Sequence, residues 1–177
     1  RRGAGRSGRD GAGARRGHPN MWGGVRVQRE LWDAGSMPYR IVPGVPAAFA
    51  AAAAGRVPRA MPGRVQCFTD ARLGGGTSVR PGQGVRDVAR HGGSLAVYLS
   101  APEAGRLEKE LAAAGVDPKT PVLVAYRVGW PEERLVRTVA GSLAATVADE
   151  KLTRQTVFLV LPGETEGEDS IEADSRL

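Results

Sequence analysis

Cysteine, histidine and aromatic side chains are scarce in this 177-residue chain: one Cys, two His, and three each of Trp, Tyr and Phe. The single cysteine, Cys67, can close no internal disulfide, which fits a reducing compartment, so a cytoplasmic protein is expected. Its setting, RVQCFT, reads as a strand residue rather than a nucleophile. Two isolated histidines, His18 and His91, without a cysteine cluster make no metal site legible. Long apolar runs are missing too. No stretch approaches the roughly 20 residues of a membrane span without a charge or a Gly/Pro break, so neither a membrane segment nor a secretory leader is expected.

Glycine and proline are abundant, at 25 and 12 residues, and predict short elements joined by many turns. Leu, Val and Ala fill most apolar positions, and the length suffices for one ordinary domain or two small ones with a real core. The net charge of +6 is unevenly placed. Residues 1–16 carry six arginines against Asp10, a net of +5, and residues 163–177 carry six acids against Arg176, a net of −5. Both tails have the composition of disordered segments. The arginine-rich start lacks interleaved aromatics and a recognisable binding fold, so nucleic acid is not the expected partner. Between the tails, eighteen Lys/Arg against twelve Asp/Glu leave +6 on residues 17–162, a field suited to an anionic ligand.

Along that body, helical and strand patterns alternate. WGGVRVQRELWDAG places Val25, Leu31 and Trp32 at roughly helical spacing, with Gly35 as terminator. PYRIV follows as a strand. Pro43-Gly44 stops it, and Pro46 opens a helix made almost wholly of alanine, AAFAAAAAG. GRVQCFT reads as a strand and DARLGGGTSVRPGQG as a loop. VRDVARHG is a short helix, SLAVYLS a continuous apolar strand, and PEAGRLEKELAAAG a helix with Leu107 and Leu111 four apart, ended by Gly115. TPVLVAYRVGW is another buried strand, ERLVRTVAGSL a strand passing into a helix near Gly141-Ser142, and RQTVFLVLPG the last strand. Continuous apolar strands separated by helices predict an α/β fold with the sheet covered on both faces.

Several stretches together resemble the tetrapyrrole methylase family. GHPNMWGGVRVQRELWDAGSMPYRIVPGVPAAFAAAAAG resembles its middle portion, where a Gly-Asp-Pro-x-x-(Tyr/Trp)-Gly loop leads to a helix, a strand and a Val-Pro-Gly-Val joint. SLAVYLSAPEAGRLEKELAAAGVDPKTPVLVAYRVGWPEERLVRTVAGSL is similar to the precorrin-4 methyltransferase branch, whose Tyr-Arg-x-x-Trp-Pro-(Asp/Glu)-Glu run stands here as Tyr126, Arg127, Trp130, Pro131, Glu132 and Glu133. The resemblance implies two α/β domains with a cleft between them and S-adenosylmethionine folded in the cleft. It implies methyl transfer to carbon 11 of precorrin-4 or its cobalt form, in cobalamin biosynthesis, by a homodimer. On this reading residues 17–43 are the end of the first domain and 44–162 a complete second α/β domain with a mixed sheet. The family's opening strand and Gly-x-Gly-Pro-Gly-Asp loop have no counterpart here.

The resemblance also places cofactor contacts at His18, Pro19 and Met21, at Pro46 and Ala47, at Leu99, at Val128, and at Thr156 and Val157. These sit at strand ends or in the loops after them, where open α/β sheets hold ligands. A sulfonium methyl donor is already activated, so alignment rather than acid–base chemistry is the expected task, and no acid–base catalytic residue is singled out. Small residues after Pro43-Gly44 would let the cofactor lie against the chain; the plainer alternative is a tightly packed core helix. Arg127 is the candidate for gripping a substrate carboxylate, with pairing to Glu132 or Glu133 as its alternative. Trp130 is the candidate wall for the tetrapyrrole, or a plug for a hydrophobic gap. Two departures stand out. His18 replaces the family's loop aspartate, and Asp70 puts a negative charge where the branch has Thr-Arg. Rival readings are another tetrapyrrole methylase, acting on a different precorrin or on uroporphyrinogen III, and a non-catalytic remnant or binding module.

Overall fold

The computed structural model describes residues 12–13, 17–73, 78–98 and 101–164. The expected basic tail, apart from Ala12 and Gly13, part of the glycine-rich loop (74–77), Leu99, Ser100 and the acidic tail beyond Glu164 lie outside the described residues. The chain divides into two units, 1–49 and 50–177.

In the first unit the helical reading of WGGVRVQRELWDAG corresponds to α1, Val25–Ala34. Gly24 precedes it with φ 75°, a left-handed turn that glycine adopts without a Cβ penalty. Two i,i+4 ion pairs, Arg26–Glu30 at 3.0 Å and Arg29–Asp33 at 3.7 Å, lie along its exposed face. Gly35 ends it, its N–H donating to the Leu31 carbonyl, and Trp32 stacks against Tyr39 with ring centroids 4.7 Å apart. PYRIV is not a strand. Residues 37–46 carry no regular structure, and among the described residues of this unit there is no strand for them to pair with, so apolar alternation has no ladder to join.

The alanine run forms α2, Ala47–Gly55, with Ala48, Ala51 and Ala52 buried. Its last residue has no room for a side chain, because a Cβ on Gly55 would run into Leu123. Tight packing on the sheet is thus one reason for the small residues.

The second unit is a five-stranded mixed sheet: β1 Phe68–Arg72, β2 Ser94–Tyr98, β3 Pro121–Tyr126, β4 Arg134–Val139 and β5 Thr156–Val160. Spatial order is β1-β2-β5-β3-β4; β1 and β2 are parallel, and every other pair is antiparallel. Three helices pack on it: α3 Val85–Ala89, α4 Ala104–Ala114 and α5 Leu143–Asp149. Their apolar side chains, Val85, Leu107, Leu111 and Leu143, meet Leu95, Val97, Val122, Val124, Phe158 and Val160 in one cluster. Residues of the opposite face, Ala96, Leu123, Ala125, Val157 and Leu159, are buried as well. Covering both faces is what makes β2, β3 and β5 read as unbroken apolar runs.

The strand drawn over residues 63–69 begins later than the sequence suggests. Met61 to Val65 closes a tight turn around Gly63, and pairing starts only where Phe68 meets Ser94. Asp70–Arg72, expected in a loop, therefore lie in β1, and Cys67 is an exposed residue just before it. Its carbonyl accepts the Ser94 N–H at 3.1 Å, and a Cβ on Gly93 would fall 2.5 Å from its sulfur and 2.7 Å from its carbonyl oxygen, so glycine is favoured where the two segments meet.

Candidate functional site

The sequence candidates fall into two groups, one in each unit. In the first unit the loop from Gly17 to Gly24 lies against the joint from Pro43 to Ala47. A Cβ on Gly17 would stand 3.6 Å from the Val45 carbonyl oxygen and 3.8 Å from the Ala47 nitrogen, while one on Gly44 would collide with the Gly17 carbonyl. This backbone-to-backbone approach brings Gly17 and His18, at the start of the loop, alongside Gly44, Val45 and Ala47. His18 keeps part of what an aspartate does in such a loop: its Nδ1 accepts the Asn20 N–H at 3.2 Å, and its carbonyl accepts the Met21 N–H at 3.1 Å. That bond assigns the ring proton to Nε2.

In the second unit the candidates gather at one end of the sheet. Tyr126, the last residue of β3, pairs with Thr156, the first of β5, and Tyr98, the last of β2, pairs with Val157. The strand ends that carry Val128, Thr156 and Val157 are therefore neighbours. Leu99 lies outside the described residues, one position past Tyr98. Val128 is half-buried, and its backbone N–H and C=O find no hydrogen-bond partner among the described residues. Backbone groups of a turn without a protein partner are open to water or to a ligand with donors and acceptors of its own.

The turn after β3 is held by its own residues and by Gln155, just before β5. Arg127 takes φ 49°, and its N–H donates to the carbonyl of Gln155, itself at φ 72°. Trp22, in the first unit's loop, is likewise at φ 49°. Among the described residues, the other non-glycine positions at positive φ, Ser36, Arg56 and Lys151, follow helix ends, where a left-handed residue is ordinary. Trp22, Arg127 and Gln155 follow no helix, and left-handed backbone at such residues costs about 1–3 kcal/mol and clusters at functional loops. Glu133 clamps the turn, accepting the Gly129 N–H at 2.6 Å, and Glu132 stands 3.6 Å from Arg127 Nη1. Of the two alternatives weighed for Arg127, the pairing is with Glu132. The Arg127 guanidinium lies 5.2 Å from the Tyr126 ring and 5.8 Å from that of Trp130, which is 39% exposed rather than filling a gap. On the other side of the strand end, Arg134 also approaches the Tyr126 ring, at 5.1 Å, and bonds the Glu150 carbonyl at 2.9 Å.

The sequence marks Glu133 as a motif residue and an alternative partner of Arg127, not as the clamp on Gly129, and it does not mark Gln155. The spacing of Gly129 and Glu133 is the one signal for the clamp; nothing local marks Gln155, whose role depends on register. Glu133→Gln is expected to speed exchange of the Gly129 amide about fivefold, the loss of roughly 1 kcal/mol of charge-assisted bonding. Amide exchange by NMR checks this, with Tm moving little.

Asp70 does not leave a bare negative charge. Arg59, 5% exposed, donates from Nη2 to Asp70 Oδ1 at 2.8 Å and to the Thr69 carbonyl at 3.3 Å, and its guanidinium covers the Phe68 ring at 4.5 Å. At the opposite end of the sheet, Leu95, Leu111, Thr120 and Val160 floor a cleft of about 350 Å³ rimmed by Arg90 and Asp117. None of the sequence candidates lines it. No group of three or more His, Cys, Asp or Glu among the described residues could hold a metal ion, and no described helix is long and apolar enough to cross a membrane.

The chain is similar to known proteins over most of its length. The chain is 35% identical over 154 residues to the precorrin-4 C(11)-methyltransferase of Mycobacterium tuberculosis, covering 86% of this chain and 61% of that one. It is 34% identical over 143 residues to the cobalt-precorrin-4 C(11)-methyltransferase of Priestia megaterium, covering 81% and 55%. The chain thus spans about three fifths of the length of the curated relatives it matches. Among solved structures, a cobalt precorrin-4 methyltransferase superposes with a TM-score of 0.80 at 31% identity over 84% of this chain and 63% of that one. A uroporphyrin-III C-methyltransferase from Thermus thermophilus, solved in complex with S-adenosyl homocysteine, superposes at 0.65 with 20% identity over 82% and 62%, a likeness of fold alone. A family model of the tetrapyrrole (corrin/porphyrin) methylases matches residues 4–144, a range that holds the loop at His18 and the Tyr126–Glu133 turn, and on that match the chain belongs to the tetrapyrrole methylases.

Proposed function

We propose that this chain carries the second domain and part of the first of an S-adenosylmethionine-dependent methyltransferase that methylates carbon 11 of precorrin-4 or cobalt-precorrin-4. The observation that carries the reading is the end of the sheet at Val128, Thr156 and Val157. There the N–H and C=O of half-buried Val128, without a hydrogen-bond partner among the described residues, stand beside the sheet end that buried Thr156 and Val157 form, a setting that fits an adenosyl group: its ring edge can use the two Val128 groups, and its face the Val128 side chain. His18, Pro19, Met21, Pro46, Ala47 and Leu99 complete the proposed cofactor contacts. The cofactor supplies an activated methyl group; the residues of this chain supply binding and alignment.

Arg127 and Trp130 are the proposed substrate contacts. Arg127 presents a guanidinium to carboxylates on the rim of the tetrapyrrole, and Trp130 offers an exposed apolar face beside it. A homodimer belongs to the same proposal, supported by the apolar side chains of the first unit that face solvent, Val27, Leu31, Val42 and Val45 being 52, 64, 61 and 65% exposed. Sedimentation velocity reads it.

Titration calorimetry with S-adenosylhomocysteine tests the central claim. A stoichiometric heat with a micromolar Kd is expected; no heat at high micromolar ligand overturns it.

A further inference from the structure

Two adjacent glutamates follow Trp130, and they do different work. Glu133 makes a short bond to the Gly129 N–H, 2.6 Å, and is committed to the shape of the turn. Glu132 makes only a long contact, 3.6 Å to Arg127 Nη1, beyond the usual range of an N–H···O hydrogen bond. Arg127 is left poorly satisfied. Its Nε is buried and has no hydrogen-bond partner among the described residues, although a guanidinium offers five N–H donors. Arg134, on the same tyrosine ring, differs: it bonds the Glu150 carbonyl at 2.9 Å and that residue's carboxylate at 3.4 Å.

We propose that Glu132 is an internal stand-in for a substrate carboxylate. In the free protein it occupies Arg127 weakly, and an acetate or propionate group of the tetrapyrrole displaces it, forming the two parallel N–H···O bonds that Glu132 does not make. This rests on the reading of Arg127 as a substrate contact. Three features support the exchange. The pair is half in solvent, with side chains 33% and 58% exposed, so its attraction is screened and easily broken. The Tyr126 and Trp130 rings, 5.2 and 5.8 Å away, hold the guanidinium at the sheet end whichever carboxylate it faces. The Glu133 clamp keeps the backbone of the turn in place while the Glu132 side chain swings out. Until substrate arrives, Glu132 also keeps the cation from other anions. Glu132 thus acts through Arg127; it is a positioning residue and touches no reacting atom.

The experiment measures binding of uroporphyrin I, an octacarboxylate tetrapyrrole, and of its uncharged octamethyl ester, to the unsubstituted chain, E132Q, R127Q and the double variant R127Q/E132Q. R127K serves as a second arginine variant, and S-adenosylhomocysteine binding is recorded for each. E132Q is expected to tighten uroporphyrin binding about threefold, the worth of removing a partly exposed competing pair. R127Q is expected to weaken it about tenfold or more, as loss of charge-assisted bonds does, and R127K to restore part of the loss. In the R127Q background E132Q is expected to change nothing, and the ester to be indifferent to both. Equal tightening by E132Q with and without Arg127 would mean simple repulsion between Glu132 and a polyanion and would overturn the exchange. No tightening by E132Q, with R127Q still weak, overturns the exchange and leaves Arg127 as the substrate contact. Unchanged binding in R127Q overturns both, while retained S-adenosylhomocysteine binding keeps the methylase reading. Loss of that binding in the unsubstituted chain overturns the methylase reading itself.

Discussion

Asp70→Ala is expected to destabilise the protein by about 3 kcal/mol, a fall of roughly 5–10 °C in Tm. Arg59 is 5% exposed and its Nη2 lies 2.8 Å from Asp70 Oδ1, so removing the carboxylate takes a short charge-assisted bond from a buried guanidinium that also donates to the Thr69 carbonyl and covers the Phe68 ring. The loss comes mainly from leaving a buried cation short of its carboxylate, because desolvation had already offset much of the pair's attraction. Two consequences follow. Asp70→Asn, which keeps an acceptor, should destabilise less, and Arg59→Met combined with Asp70→Ala should recover much of the stability, since an apolar pair needs no partner. Chemical denaturation of the three variants checks the order; a change below about 0.5 kcal/mol in Asp70→Ala would mean that solvent reaches Arg59.

The second large effect is on ligand binding. Gly44→Ala is expected to weaken S-adenosylhomocysteine roughly thirtyfold, about 2 kcal/mol, within the range that forced repacking of a tight contact costs. Gly44 is not at a positive φ, so alanine is tolerated by its own backbone. The difficulty is its neighbour. The new methyl group would meet the carbonyl of Gly17 and lie 3.7 Å from the Cα of His18, both backbone atoms that cannot swing aside. The loop bearing His18, Pro19 and Met21 must then move away from Pro46 and Ala47, parting contacts proposed to act on one ligand. Gly105→Ala is the control: its added methyl meets the Ala144 Cβ at 3.8 Å, ordinary contact, and replaces a helical glycine in α4. It should raise Tm slightly and leave the Kd unchanged. Equal affinity in Gly44→Ala and the unsubstituted chain would show that the approach of Gly17 to Gly44 is irrelevant to the ligand.

Much of the second unit was legible because its signals are local. Continuous apolar stretches at 94–98, 121–126 and 156–160 became β2, β3 and β5, and the four-residue spacing of Leu107 and Leu111 put both on the buried side of α4. Gly115 ends that helix at φ 86°, where glycine is favoured. The motif residues from Tyr126 to Glu133 read as a unit because most bonds of the turn that holds them, Trp130 N–H to Arg127, Glu133 N–H to Trp130 and Gly129 N–H to Glu133, join residues within it. PYRIV shows the limit. Its composition suits a strand, but a strand exists only with a neighbour, and composition does not name one.

What chain order alone could not supply was pairing. That β5 slots between β2 and β3 follows from packing of the whole sheet, and it is this insertion that sets Thr156 beside Tyr126 and Val157 beside Tyr98. The same holds for Arg59 meeting Asp70, for Gln155 accepting the Arg127 N–H, and for the later start of β1. Helix and turn preferences are paid within a few residues and leave a mark in any short window of sequence. Contacts between distant residues depend on register and on which surfaces must be hidden together, and a shift of one position would reverse every side chain without altering any local pattern.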